Sequence, residues 1–266
     1  DHRSVGAGTA AQLARLPHRP RLIGLGEPMH GEDEFGRIRN AVFAALVDQT
    51  GVTTIALETS AWHGRLVDAY VSGEDGGEDE VMAAGFTHGL GESLANRMLV
   101  RWLREQNRYR PRSARLRFAG FDAPTEMAGA PSPRPALRVL HDFLRSHTDT
   151  PPWDAVDRLL GPDEPWEEPA AARQPARSIG ADARVRDLRA ITDDLRWTLA
   201  VAVPHLRRET DPDAVDDALL AGRTAAGLLA YHAAMAQDGQ HRWEHLSAVR
   251  DALMADNLVA LAGRGP

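Results

Sequence analysis

Short apolar runs alternate with helix-like patterns through the first 122 residues, and this alternation limits the folds open to the chain. The runs predict strands because they are rich in apolar and β-branched residues and too short for helices. The predicted strands are Arg21–Gly26, Val52–Leu57 and Leu116–Phe121, and the predicted helices are Phe35–Gln49, Trp62–Tyr70 and Leu94–Tyr109. Regular alternation favours right-handed crossovers and a parallel sheet. We therefore expect an α/β fold, with a parallel sheet flanked by helices in the N-terminal half.

The helical patterns also predict which side chains face the core. In the first predicted helix, apolar residues recur at spacings of three and four, and Gly51 is expected to end it. In the third, the predicted inward positions are Leu94, Met98, Leu99 and Leu103. The acidic, glycine-rich piece Ser72–Glu80 is expected to be a loop.

The character of the sequence changes near residue 130. Prolines become frequent between residues 131 and 175, which predicts a linker with short helices. Three long segments, 181–208, 213–236 and 241–262, then show helical spacing of apolar residues, and Pro204 is expected to kink or end the first. We expect an α/β catalytic core at residues 1–130 and a largely α-helical region, an insertion or lid, at residues 131–266.

Each predicted strand is followed or ended by a carboxylate. Glu27, Glu58 and Asp122 occupy these positions. In an open parallel sheet the carboxyl ends of the strands share one edge, where ligands bind. A single acid after a strand is usually a turn residue, but three in three strands favour a functional cluster.

His30 adds an imidazole to this cluster, three residues after Glu27 in the glycine-bounded segment 24–31. Glycine permits close backbone approach to a ligand, and histidine titrates near neutral pH, so His30 is a candidate general base. The alternative from these residues alone is a local bond between Glu27 and His30. A metal ion among the three acids and His30 is a less favoured reading, as is one at His241 and His245, which lack a third ligand.

Composition excludes several function classes. The formal net charge is -7, which argues against a nucleic-acid partner. No apolar stretch is long enough to span a membrane. Cysteine and lysine are both absent, which excludes thiol nucleophiles, P-loop lysines and Schiff bases. The lack of cysteine favours a cytoplasmic location, and the all-arginine bias is typical of a GC-rich, actinobacterial-type genome.

Two further motifs are missing. The sequence has no Gly-x-Ser-x-Gly elbow, and Met29 interrupts any dinucleotide-binding fingerprint after the first predicted strand. We therefore expect acid and base chemistry on a small-molecule substrate, with no cofactor and no metal.

Several motifs together resemble the erythromycin esterase family, whose members are also known as succinoglycan-biosynthesis-like proteins. The matching segments are Gly-Glu-x-x-His-Gly at 26–31 with Glu34 after it, Ile-Ala-Leu-Glu at 55–58, Phe-x-Gly-x-Asp at 118–122 and Arg-Asp-x-x-Met-Ala-x-Asn at 250–257. Asp256 stands where the family usually has glutamate. The family pattern continues beyond Asn257 into a strand with a His-Asn-x-His motif, and residues 258–266 do not contain it. The resemblance thus implies that the natural chain is longer or has lost this element.

The resemblance implies a metal-independent hydrolase in which His30 activates water to open a macrolide-type lactone. Glu27, Glu58 and Asp122 would orient His30, and the substrate-binding candidates are Glu34, His88 and Arg250. Two alternatives stay open: a tailoring enzyme for cyclisation, elimination or acyl transfer on a polyketide-like substrate, and an inactive small-molecule binding protein. The oligomeric state does not follow from the sequence.

Overall fold

The computed structural model describes residues 1–18, 20–29, 31–125 and 129–263. Within these residues the first half of the chain contains two strands among helices. The elements are α1 (His2–Ala14), α2 (Asp33–Thr50), β1 (Thr54–Ser60), α3 (Ala61–Val71), α4 (Glu78–Gly85), α5 (Leu94–Asn107) and β2 (Arg117–Asp122). The second half is helical: α6 (Arg134–Arg145), α7 (Trp153–Leu160), α8 (Ala183–Glu209), α9 (Pro212–Met235) and α10 (Arg242–Gly263).

The strands β1 and β2 pair with each other in a parallel, two-stranded sheet. This arrangement confirms the predicted α/β class, with a parallel sheet flanked by helices followed by a helical region. The long helices lie close to their predicted positions, and Gly51 ends α2 with a left-handed φ of 74°. Pro204 does not end α8, which continues to Glu209.

The prediction of a strand at Arg21–Gly26 was wrong. None of these residues lies in a strand, and Leu22 and Leu25 are about half exposed, at 54% and 49%. A strand requires a ladder of backbone hydrogen bonds to a neighbour. Instead, the Arg21 guanidinium donates from Nη2 to the carbonyl oxygen of Ala262 at 2.6 Å.

The inward face of α5 was only partly predicted. Leu99 and Leu103 are buried, but Leu94 and Met98 are 58% and 51% exposed. Ser93 caps the helix by accepting a hydrogen bond from the backbone N–H of Asn96. Compared with the predicted inward positions, the buried face lies about one residue further along the helix. It consists of Ala95, Asn96, Leu99, Val100, Leu103 and Asn107.

The predicted loop Ser72–Glu80 is shorter than expected, because α4 begins at Glu78. Its first turn carries three carboxylates, which the positive end of the helix dipole favours. Glu78 also accepts hydrogen bonds from Arg97 and Arg101 of α5, both at 2.7 Å. This ion-paired acidic run is thus a helix start.

Residues 131–175 do contain short helices, but they are not a loose linker. The side chains of Leu137, Leu140 and Leu144 in α6 and of Trp166 are buried. The three leucines recur at spacings of three and four, which gives α6 one apolar face. The segment therefore forms part of a packed core.

The chain forms two compact units, each with most of its contacts among its own residues. The first comprises residues 1–121 and 258–266, and the second comprises residues 122–257. The core of the first unit packs α2, α3 and α5 on the sheet, through residues that include Phe43, Leu57, Val67, Leu99 and Phe118. The predicted functional division at residue 130, into a catalytic core and a lid, stays a prediction.

Arg242 holds part of the second unit together. Its buried guanidinium donates hydrogen bonds to four main-chain carbonyl oxygens, those of Ala171, Ala172, Met235 and Gln237. A buried cation is costly unless its donors are satisfied. The four hydrogen bonds of Arg242 join the turn at residues 171–172 to the end of α9 and the start of α10.

Candidate functional site

Glu58 lies near the carboxyl end of β1, between buried neighbours. Leu57 and Thr59 are buried, whereas Glu58 is half-buried. Successive side chains of a strand point to opposite faces, so Glu58 lies on the other face from these two. The sequence folds this way because alternating Ile55 and Leu57 face the apolar core.

A network of hydroxyl groups fixes the end of β1. The backbone N–H of Thr87 donates to Thr59 Oγ1 at 2.8 Å, and the backbone N–H of Ser60 donates to Thr87 Oγ1 at 3.0 Å. The Oγ1 atoms of Thr59 and Thr87 are 3.2 Å apart. Ser60 caps α3, and its Oγ lies 2.9 Å from Nδ1 of His63. The strand end that carries Glu58 is therefore bound to the loop that carries His88.

His88 has an unusual backbone conformation, with a φ of 57°. For a residue with a Cβ atom this left-handed conformation costs roughly 1–2 kcal/mol. Residues held in such regions cluster at functional sites. The side chain of His88 is exposed, and the Thr87 hydrogen bonds hold the residue before it.

Asp122 is the last residue of β2, and its carboxylate is fully buried. Arg250 on α10 donates from Nε to Oδ1 at 2.9 Å and from Nη2 to Oδ2 at 2.6 Å. The backbone N–H of Ala123 also donates to Oδ1, at 2.7 Å. Both oxygens of Asp122 are engaged in these contacts, which lie within the second unit.

The sequence reasoning missed Arg39. This half-buried residue of α2 donates to Asn40 Oδ1 and to Asn96 Oδ1, each at 2.8 Å from Nη2. Burial lowers the pKa of Arg39 to about 10, and the nearby negative charge of Glu27 opposes that shift. The guanidinium therefore stays charged at neutral pH. The signal was present, because Arg39 lies four residues after Phe35, on the predicted inward face of its helix.

Two predicted residues near α2 are on the surface. Glu27 is exposed, and its negative charge acts on Arg39. Glu34 is also exposed, and its Oε1 lies 2.6 Å from Nε2 of His2 in α1. Asp33, beside it, accepts hydrogen bonds from the Ser93 hydroxyl and the Ala95 N–H, which lower its pKa.

His30, the predicted general base, lies outside the described residues. Within the first unit, Glu27 interacts electrostatically with Arg39, and the β1 network joins the segments of Glu58 and His88. Asp122 and Arg250 pair within the second unit. Convergence of the three acids on His30 therefore stays a prediction.

The described residues offer neither a cluster of metal ligands nor a helix that could span a membrane. Across residues 1–18, 20–29, 31–125 and 129–263, no three or more His, Asp or Glu side chains are arranged to hold a metal ion. In the same ranges, no helix has the length and apolar character needed to cross a bilayer. His241 is exposed and lies 3.7 Å from a Glu244 oxygen.

One known protein family matches most of the chain. The erythromycin esterase family model matches residues 47–265, which include Glu58, His88, Asp122 and Arg250. The chain belongs to the erythromycin esterase family. The segment with Glu27 and His30 precedes the matched range.

Individual relatives of this esterase family agree with that assignment. The chain is 29% identical over 134 residues to erythromycin esterase type II of Escherichia coli, a match covering 50% of this chain and 30% of that protein. Its fold is similar to that of a mutant of the erythromycin esterase EreC in its open conformation, with a TM-score of 0.64 at 21% identity over 97% of this chain and 60% of that one. A succinoglycan biosynthesis protein gives a TM-score of 0.61 at 12% identity, over 99% and 63% of the two chains. The chain thus spans less than two thirds of the length of these relatives.

Proposed function

We propose that this protein is a metal-independent carboxylic ester hydrolase that opens a macrolide-type lactone. The observation that carries the proposal is the family match over residues 47–265, which includes the half-buried Glu58 at the end of β1. The substrate class is taken from erythromycin esterase type II, to which half of the chain is similar.

In the proposed reaction, His30 removes a proton from a water molecule as the water attacks the ester carbonyl carbon. The bond between that carbon and the ring oxygen then breaks as the imidazolium returns its proton to the leaving oxygen. The opened product carries an alcohol and a carboxylic acid, which ionises in water. Glu27 and Glu58 hold the imidazole in the required tautomer and stabilise the imidazolium that forms. A neighbouring carboxylate raises the pKa of a histidine, so the base would act best near or above neutral pH.

The remaining residues have supporting roles in this proposal. Arg39 keeps its charge at neutral pH and offers a cation for the oxyanion that develops on the carbonyl. Asp122 holds Arg250 in a fixed orientation through two hydrogen bonds, and Arg250 keeps part of its side chain exposed for substrate. Glu34 and His88 complete the proposed substrate contacts.

The test is incubation of the natural full-length protein with a panel of macrolides, followed by mass detection of the addition of one water. We expect hydrolysis by the wild type and its loss in His30→Ala and Glu58→Gln. His18→Ala is the matched control, because His18 is exposed and lies outside the proposed site. Intact lactones with every folded variant and the wild type would rule out this function.

A further inference from the structure

The long helix α8 has apolar residues on two opposite sides. Its buried face, which includes Leu188, Leu195 and Leu199, packs within the second unit, where α8 contacts α6, α7 and α9. On the other side, Trp197 and Val201 are 72% and 76% exposed. An amphipathic helix needs only one apolar face to pack on its own core. The exposed apolar side of α8 is therefore not explained by folding of this unit.

Four neighbouring positions form this exposed side, which we call the outer stripe: Trp197, Ala200, Val201 and Pro204. Residues three and four apart are neighbours on a helix surface, so these positions are contiguous. Pro204 lies inside the helix and has no backbone N–H, so it adds an apolar ring to the stripe and no donor. Tryptophan is enriched at the centres of protein interfaces. The outer stripe thus has the composition of an interaction surface.

Opposite charges flank the outer stripe. Asp194 precedes Trp197 by three residues, Arg208 follows Pro204 by four, and both charged side chains are exposed. Among the residues that the structure describes, the Asp194 carboxylate and the Arg208 guanidinium have no ion-pair partner. The two residues are 14 positions apart, about 21 Å along the helix, so they cannot pair with each other. The stripe therefore has an acidic end and a basic end.

The charges next to these two are already paired within the chain. Asp193 lies 3.2 Å from Arg196, and Arg207 lies 2.5 Å from Asp216. Counting these pairs leaves one negative and one positive charge at the ends of the stripe. A partner of a single charge would complement only one end.

A second copy of α8, running antiparallel, complements both ends. Asp194 and Arg208 are each seven residues from Val201, so a two-fold axis near Val201 sets Asp194 against Arg208 of the second copy. The same axis sets Trp197 against Pro204 of the second copy, and the symmetry makes every contact twice. A parallel copy would instead place like charges opposite each other, which is unfavourable. The pattern is thus complementary to itself in the antiparallel orientation.

We propose that the outer stripe is the interface at which two copies of this protein associate, with their α8 helices antiparallel. Trp197 is the apolar anchor, and two pairs of Asp194 with Arg208 fix the orientation. A contact between two single helices is small compared with the roughly 1,600 Å² of a standard interface, so we expect a weak dimer with a micromolar dissociation constant. This inference goes beyond the ester hydrolase activity, because it requires neither the site nor a substrate.

The test is sedimentation equilibrium of the natural full-length protein over a range of concentrations. We expect a monomer–dimer equilibrium that Asp194→Arg or Arg208→Asp weakens roughly tenfold or more, because each change sets like charges against each other. Glu164→Arg reverses an exposed acid outside α8 and should associate like the wild type. A wild type that stays monomeric at about 1 mM overturns the proposal, since that concentration far exceeds a micromolar dissociation constant.

Mixing the two charge variants tests the geometry directly. In a mixed dimer of Asp194→Arg with Arg208→Asp, opposite charges meet at both ends of the stripe, so association should return to nearly the wild-type strength. Trp197→Ser should weaken the dimer roughly tenfold, whereas Trp243→Ser, at a half-exposed tryptophan of α10, should not. Circular dichroism checks that each variant is folded. A mixture that associates no better than either variant alone, or a folded Trp197→Ser that dimerises like the wild type, overturns the proposal.

Discussion

Arg250 binds the fully buried carboxylate of Asp122 through two hydrogen bonds, although the two residues are 128 positions apart in the chain. The pair joins the end of β2 to α10. Because both oxygens of Asp122 already accept hydrogen bonds, we assign this residue to positioning Arg250.

Replacement of Asp122 by asparagine should destabilise the protein. The amide would present N–H groups to the guanidinium, and Arg250 would lose its counter-charge. Breaking a buried pair costs about 3–5 kcal/mol, and partial exposure of Arg250 places this case near the lower end. The free energy of unfolding in urea measures the loss. Asp251→Asn, at the next and exposed position, should change it by less than about 0.5 kcal/mol, and equal losses in both variants would contradict the assignment.

His232 predicts a pH dependence of stability. It is buried, its Nε2 donates to the carbonyl oxygen of Pro131 at 3.0 Å, and its ring packs against that of Trp166 in a T-shaped arrangement. Burial lowers the pKa of His232 below its ordinary value of 6.5. The unfolded chain therefore binds a proton first as the pH falls, so this contribution is complete above pH 6.5 and declines below it.

The matched variant for this effect is His232→Gln, whose amide can donate to Pro131 without titrating. Unfolding free energies compared between about pH 8 and about pH 5 should fall more in the wild type than in the variant. Parallel pH profiles for the two proteins would show that His232 does not carry the effect.

Thr87→Val should loosen the end of β1 while keeping the side-chain shape. The buried backbone N–H of Ser60 would lose its acceptor, at a cost of about 1–3 kcal/mol. Thr198→Val removes a hydroxyl bonded to the Asp194 carbonyl on the exposed surface of α8 and is the control. Hydrogen exchange at residues 86–89 should accelerate in the first variant only. Unchanged protection there would mean that the hydroxyl network does not hold the His88 loop.

Two glycines of α1 should respond in opposite directions to alanine. At Gly6 a Cβ atom would lie 2.5 Å from the Ala41 carbonyl oxygen of α2, so Gly6→Ala should cost about 1–3 kcal/mol. At Gly8 a Cβ atom meets no atom within 4 Å, so Gly8→Ala should stabilise the helix by about 1 kcal/mol. Thermal unfolding of both variants measures the contrast, and a shift of the same sign in both would refute close packing of α1 on α2.

Local patterns in the sequence explain which helices and strands could be predicted. The helices α2, α3, α5 and α8 to α10 have apolar residues at helical spacing, and β1 and β2 are short β-branched or aromatic runs. Arg21–Gly26 has the same local pattern, but a strand exists only where a neighbour supplies hydrogen bonds. That information is not local.

In the candidate site, too, local patterns could be predicted and contacts between distant segments could not. The elements that carry Glu58 and Asp122 were predicted, because each residue lies in an apolar run. Pairing of Asp122 with Arg250 was not predictable, since it joins distant segments. Arg39 could have been found from its inward helical position. His30 lies outside the described residues, so its role rests on the predicted motif.

The carbonyl cage of Arg242 has a consequence for behaviour in acid. Its four acceptors are main-chain oxygens, which take up no proton as the pH falls. The nearby pairs of Asp163 with Arg134 and Glu168 with Arg177 depend instead on carboxylates. Burial opposes the lowering of the Asp163 pKa by Ser132 and Arg134, and the Ala170 N–H lowers the pKa of Glu168 together with Arg177. On acidification the contribution of His232 declines first, below pH 6.5, and the two carboxylate pairs lose their charge attraction only at lower pH. The four bonds of Arg242 contain no group that titrates over this range, so the attachment of residues 171–172 to α10 should be the contact that acid weakens least directly.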